Sequence, residues 1–248
     1  MFLLEGVGKA YPRSVALEPL SMRIDAGEKV AVLGPSGSGK TTLLHLLGGV
    51  IQPDHGSITI DDRPLAYLGP GRELAGLVGV MHQQFDLVPH LAVVHNVLAG
   101  NLGRWGTLRS LLSLVSPRER HVALNALDRL GIGDKLYERT STLSGGEQQR
   151  VAMARLLVQT PKAILADEPV ASLDPARAED LTKLLAEVAA DSGRTLVASL
   201  HSVDLTRKYF DRAVGLRNGR VQFDSPVGDV TDDVLERLYD IEGLDSAR

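Results

Sequence analysis

A chain of 248 residues, 44% of them hydrophobic, has the apolar content for one large α/β domain or two small ones. Its 27 Lys and Arg against 31 Asp and Glu leave a net charge of -4, which argues against nucleic acid as the main partner and against a polybasic membrane patch. With no cysteine, neither a disulfide framework nor a thiolate metal site can form, in keeping with a reducing cytosol. No apolar run approaches the ~20 residues needed to span a bilayer, and the N-terminus lacks the charged and apolar regions of a leader. Any membrane association is therefore expected to pass through another protein.

In chain order, residues 2–7 and 15–17 alternate loosely as strands do, and residues 56–61 do so clearly, which predicts an antiparallel β-layer. Four short apolar runs, at 29–33, 76–81, 162–166 and 195–200, read as buried parallel strands. Each is followed at once by a candidate functional residue, and in open α/β sheets ligands bind at the carboxyl ends of strands. Between the second and third of these runs, residues 85–150 carry a mostly helical pattern. Within it Ser116, Pro117 and Glu119 form a capping box, Val122, Ala126, Leu127 and Leu130 follow at helix spacing, and Gly131 is a stop. Residues 213–223 read as two strands joined by a tight turn at Asn218 and Gly219. No internal repeat or low-complexity linker interrupts the chain.

The segment Gly34-Pro-Ser-Gly-Ser-Gly-Lys-Thr41 has the spacing of a phosphate loop. Gly34, Gly37 and Gly39 let backbone N–H groups approach phosphate oxygens, with Pro35, Ser36 and Ser38 between them and a helix N-terminus behind. A strand before it and an apolar helical run after Thr42 supply the expected context. Lys40 is placed to reach the β- and γ-phosphates and the Thr41 hydroxyl to ligate Mg²⁺. Guanine selectivity is unsupported, since no Asn-Lys-x-Asp segment follows. Asp167 and Glu168 end another apolar strand, where Asp167 would hold the Mg²⁺ shell and Glu168 would act as general base. Taken alone, this dipeptide reads equally as a solvated acidic turn before Pro169. Further along, Ser144-Gly-Gly-Glu147 fits a capping box, and a capped helix N-terminus is also an anion site.

The phosphate loop together with Leu143-Ser-Gly-Gly-Glu-Gln-Gln-Arg150 resembles the ATP-binding-cassette ATPases, and the likeness runs from Tyr11 to about Tyr239. That resemblance implies an α/β fold: a P-loop NTPase (RecA-like) core with an antiparallel β-layer and an inserted helical subdomain. Residues 1–84 and 151–225 would form the layer and core, 85–150 the helical subdomain and 226–248 a C-terminal helical tail. It implies ATP as substrate, Mg²⁺ as cofactor, and a sandwich in which Ser144, Gly145 and Gly146 of one subunit grip the γ-phosphate held by the loop of another. It moves Asp167 and Glu168 toward catalysis. By motif context it makes Tyr11 the aromatic that stacks on adenine, Gln83 a Mg²⁺-sensing link to the helical subdomain, Asp174 an interface residue and His201 a switch near the γ-phosphate. Each has a plainer reading as well: a surface tyrosine, a helix N-cap at Asp174, a structural histidine. His82 stands where an aromatic is usual, and Glu147 where many relatives carry Gln.

Within the family, residues 96–112, 166–175 and 235–239 look like the phosphonate-importer ATPases. This branch implies two ATPase subunits, two membrane permease subunits and a periplasmic binding protein, with the ATPase on the cytoplasmic face of the bacterial inner membrane. The apolar stripe Leu102, Trp105, Leu108, Leu111, Leu112 and Val115 would dock a permease helix or serve as helical core. Two alternatives remain in view: a single-cassette exporter or lipoprotein-releasing ATPase, and a soluble cassette acting on ribosomes or DNA.

Overall fold

The computed structural model describes residues 1–69, 71–82, 85–106, 110, 119–171 and 173–239. Its strands are β1 (Phe2–Tyr11), β2 (Ser14–Ile24), β3 (Lys29–Leu33), β4 (His55–Ile60), β5 (Arg63–Pro64), β6 (Val78–Met81), β7 (Ala163–Ala166), β8 (Thr195–Ser199), β9 (Arg212–Arg217) and β10 (Arg220–Pro226). The helices described below are α1 (Lys40–Leu47), α2 (Arg72–Leu77), α3 (Val93–Leu98), α4 (Arg120–Arg129), α5 (Gly145–Gln159), α6 (Pro175–Asp191), α7 (Val203–Tyr209) and α8 (Asp232–Tyr239).

The strands fall into two sheets. One is antiparallel, in the order β2-β1-β4-β5, and is the expected β-layer. The other has the order β10-β9-β3-β8-β7-β6, and the four apolar runs pair in it as parallel strands. Period-two alternation divides the apolar interior between its faces. Ala31, Leu33, Ile164, Ala166, Leu196 and Ala198 face a core shared with α3, α4, α5 and α6. Val30, Val32, Ala163, Leu165 and Val197 face a second core made with α1 and the antiparallel sheet. At ~25 cal/mol per Å² of apolar surface, burial on both faces favours these continuous runs of Val, Ile, Leu and Ala.

Several boundaries differ from the sequence reading, each for a local reason. The run at 76–81 becomes a strand only from Val78, because Leu74 and Leu77 turn into the second core from α2. β2 runs to Ile24, far past residue 17, and register shifts against β1 blur its alternation. The tight turn at 218–219 is present, with φ of 50° at Asn218 and 75° at Gly219. The first strand of its hairpin also extends the parallel sheet by pairing with β3. Helix α4 starts at Arg120, and Glu119, just before it, accepts a hydrogen bond from Asn101 (3.1 Å). Gly131, at φ 71°, follows its end. Ser116 and Pro117 lie outside the described residues, as do Gln83, Leu108, Leu111, Leu112, Val115 and Ser172.

Candidate nucleotide site

The phosphate loop joins β3 to α1, so its amides lie at the carboxyl end of the parallel sheet and at a helix N-terminus. Two glycines have no substitute. A Cβ on Gly34 (φ 148°) would sit 2.0 Å from the Leu216 carbonyl oxygen, and one on Gly39 (φ 108°) 2.5 Å from that of Ala16. The loop is braced from β2 and from the β9–β10 hairpin, since Gly219 N–H donates to Ser38 O (3.0 Å) and Glu18 N–H to Gly219 O (2.9 Å). Ser36, Gly37 and Thr41 are exposed, whereas Ser38 and Lys40 are buried.

Lys40 folds back over the loop, donating from Nζ to the carbonyls of Gly34 (2.8 Å) and Pro35 (3.0 Å). Burial pushes its pKa down, and Glu168 and Asp167 partly offset this. Glu168 Oε1 lies 4.0 Å from the ammonium and 2.9 Å from His201 Nε2. Lys40, Glu168 and His201, separated widely in sequence, thus meet around one carboxylate.

Beside them is a residue that sequence reasoning missed. Ser199, fully buried at the end of β8, donates to Asp167 Oδ1 (2.7 Å) while its oxygen accepts from the Glu168 N–H (2.7 Å). It therefore fixes both acids at once, and a hydroxyl closing an apolar strand two residues before His201 was the available signal. Ser199→Ala should leave an acceptor and a donor short of a partner, at about 1–3 kcal/mol. The expected result is a lower melting temperature together with slower ATP hydrolysis. Unchanged turnover would show that neither acid depends on it.

Ser144 caps α5 as the sequence implies: Glu147 N–H donates to its hydroxyl oxygen (3.4 Å), and its own N–H and hydroxyl donate to Glu147 Oε2, both at 2.8 Å. The Ser144 N–H, followed by its hydroxyl, holds the Glu147 carboxyl below the usual range. Open space surrounds Gly145 and Gly146. Among the described residues, no hydrogen bond or ion pair joins this segment to the Gly34–Thr42 loop of the same chain. The nearer link is Gln149, buried and also missed, which donates to Pro169 O (3.2 Å). Lower on α5, Arg155 donates to the carbonyls of Phe85 and Asp86, both at 2.8 Å, and so grips the turn that follows position 83. Asp174 accepts from the Arg177 N–H (3.1 Å) as the N-cap of α6. Tyr11 ends β1, 46% exposed.

A glycine loop that lays backbone amides at a helix N-terminus serves phosphate. With the acid pair just past the end of β7, a parallel strand separated from β3 by β8, this is a P-loop nucleoside triphosphatase. The family model for ABC transporters matches residues 17–171, well over half of the chain. The chain is 44% identical to the phosphonates import ATP-binding protein PhnC of Pseudomonas putida, over 97% of this chain and 90% of that one. It is 48% identical to the protein of the same name from Anaeromyxobacter dehalogenans over 96% of its own length, and spans about half (48%) of that relative. Its structure is similar to the dimeric structure of MJ0796, a bacterial ABC transporter cassette, with a TM-score of 0.80 at 31% identity, covering 92% of this chain and 99% of that chain. The same cassette in a dimeric post-hydrolysis state bound to ADP and Pi gives a TM-score of 0.74 at 30% identity, with coverage of 92% and 99%. The chain belongs to the ABC transporter family and is one of its ATP-binding cassettes.

Proposed function

We propose that this cassette is the ATP-hydrolysing subunit of a bacterial importer for phosphonate or a related phosphorus oxyanion. The contact of Glu168 with both Lys40 and His201 supports the hydrolytic half of this reading. Relatives named for phosphonate import, at 43–48% identity over most of the chain, support the transport half. ATP would lie along the loop, with Lys40 and the loop amides against its phosphates. The Glu168 carboxylate takes a proton from water as the water oxygen attacks the γ-phosphorus; the bond to the β–γ bridging oxygen breaks, leaving ADP and inorganic phosphate. His201 orients that carboxylate.

Mg²⁺ suits this set of donors. Among the described residues no three His, Asp or Glu side chains cluster as metal ligands, and Mg²⁺ is commonly held by one or two protein oxygens with phosphates and water supplying the rest. Thr41 and Asp167, with Gln83 by resemblance, would hold it, and the ion supplies neutralisation of phosphate charge.

The dimeric state of the structural neighbours supports a sandwich of two copies, with the open Gly145 and Gly146 of one facing the loop of the other. No helix among the described residues is long and apolar enough to cross a membrane. Its likeness to relatives named for phosphonate import supports assigning the cassette to the cytoplasmic face of the inner membrane, carried by two permease subunits and served indirectly by a periplasmic binding protein. Half-exposed Val88 and Leu102 offer apolar area for permease contact. Trp105 packs against the first core, which favours a packing role for that part of the stripe.

Deleting the gene should abolish growth of its host on a phosphonate as sole phosphorus source and spare growth on inorganic phosphate. The wild-type gene should restore growth and one encoding Glu168→Gln should not. Normal growth of the deletion strain on phosphonates would remove the transport assignment and leave the hydrolytic one standing.

A further inference from the structure

The end of β1 that carries Tyr11 is held by a residue from outside its own hairpin. The pairing of β1 with β2 shifts register between Lys9 and Ala10, which loosens the ladder just before Tyr11. Asp54, immediately before β4, replaces the lost order with three bonds to consecutive residues. Its N–H donates to Gly8 O (2.9 Å), its Oδ1 accepts from Lys9 Nζ (2.8 Å), and its Oδ2 accepts from Ala10 N–H (2.8 Å). The Lys9 ammonium, followed by the Ala10 N–H, holds the Asp54 carboxyl below the usual carboxylate range.

Lys9 and Tyr11 are two residues apart on one strand and so lie on the same side of it. Instead of extending into water, the Lys9 side chain is only 17% exposed, and its Nζ stands 6.0 Å from the centre of the Tyr11 ring. That distance is at the outer reach of cation–ring attraction. The ring itself stays 46% exposed. A tyrosine at a hairpin end has two free torsions and, without support, samples several rotamers. Here a tethered cation beside the ring narrows that choice before any ligand arrives.

We infer that the Lys9–Asp54 pair sets the pose of Tyr11 for the purine base of the nucleotide, so that both are positioning residues acting through Tyr11. The inference rests on the reading of Tyr11 as the base platform, and the test separates the two. Steady-state ATPase activity of the full chain is measured against ATP and against CTP for the wild type, Tyr11→Ala, Lys9→Met, Lys9→Arg, Asp54→Asn and the Lys9→Met/Asp54→Asn double variant. Asp54→Asn keeps an acceptor for the Ala10 N–H and removes only the charge.

Loss of a base stack in Tyr11→Ala should raise KM for ATP about tenfold. Lys9→Met and Asp54→Asn should each raise it about two- to fivefold with kcat unchanged, the double variant no further than either alone, and Lys9→Arg should stay near wild type. KM for CTP, whose smaller ring has less to stack, should rise less in every case. Every variant is assayed at a matched concentration of folded protein, so partial unfolding cannot mimic this pattern. If Tyr11→Ala raises KM while Lys9→Met and Asp54→Asn leave it unchanged, the platform stands and the inference is overturned. Equal rises for ATP and CTP also overturn it, since the pair would then act on the loop generally. An unchanged KM in Tyr11→Ala removes the platform reading and the inference together.

Discussion

Replacing Glu168 by glutamine should leave ATP affinity close to that of the wild type and lower steady-state hydrolysis by about 10²–10⁴-fold, the usual contribution of a positioned general base. The amide preserves the shape of the side chain and can still meet His201, but it does not take a proton from water. ATP-bound dimers should accumulate, because the step that dissolves them is blocked. Lys40→Ala should fail earlier. Its ammonium is buried with both loop carbonyls as acceptors, so losing it removes a charge from the phosphate site and two hydrogen bonds from the loop. Nucleotide affinity should fall by about ten- to a hundredfold, the range of a hydrogen bond to a charged group. Equilibrium ATP binding and turnover, measured for both variants, check this division of labour; near-normal turnover in Glu168→Gln would sink the base role.

Ser144→Arg should produce the second large effect, and it should depend on protein concentration. In a single chain the hydrogen bonds of Ser144 run within its own cap, and the glycines beyond it face open space. A bulky cation there leaves the chain's own phosphate loop intact, so ATP binding by monomers should stay near normal. Dimerisation and hydrolysis should both be lost. Removing the Ser cap costs about 0.5–2 kcal/mol of local stability, and melting curves run alongside separate that from loss of the interface. A variant that hydrolyses ATP normally at low protein concentration would show that one chain suffices.

What was legible in the sequence was local. The phosphate loop, the acid pair and the α5 cap each lie within eight consecutive residues, and strand ends put the first two at one edge of the sheet. What escaped was long-range. Ser199 reaches Glu168 and Asp167 across 31 and 32 residues, and Gln149 reaches Pro169 across 20. Spacing rules do not name the partners of such residues, because the pairs form only once β7 lies beside β8 and α5 packs against the turn that follows β7. The hairpin turn at Asn218 and Gly219 was readable as a turn, but its bond to Ser38 and hence its support of the loop was not. The length of β2 was hidden for a different reason: bulges break the alternation on which strand recognition depends.

Glu168 stands at φ 45°, a left-handed backbone that costs a residue with a Cβ roughly 1–2 kcal/mol and glycine almost nothing. The turn between β7 and Pro169 points the carboxylate toward Lys40 and His201 from that backbone. Heat resistance and turnover therefore pull this position in opposite directions. In a domain of this size each kcal/mol is worth roughly 2–4 °C of melting temperature, so a library ranked by heat resistance alone that takes up glycine at 168 would discard the proposed base. Thermostabilised versions of this cassette have to be selected for hydrolysis and heat resistance together, with position 168 held fixed.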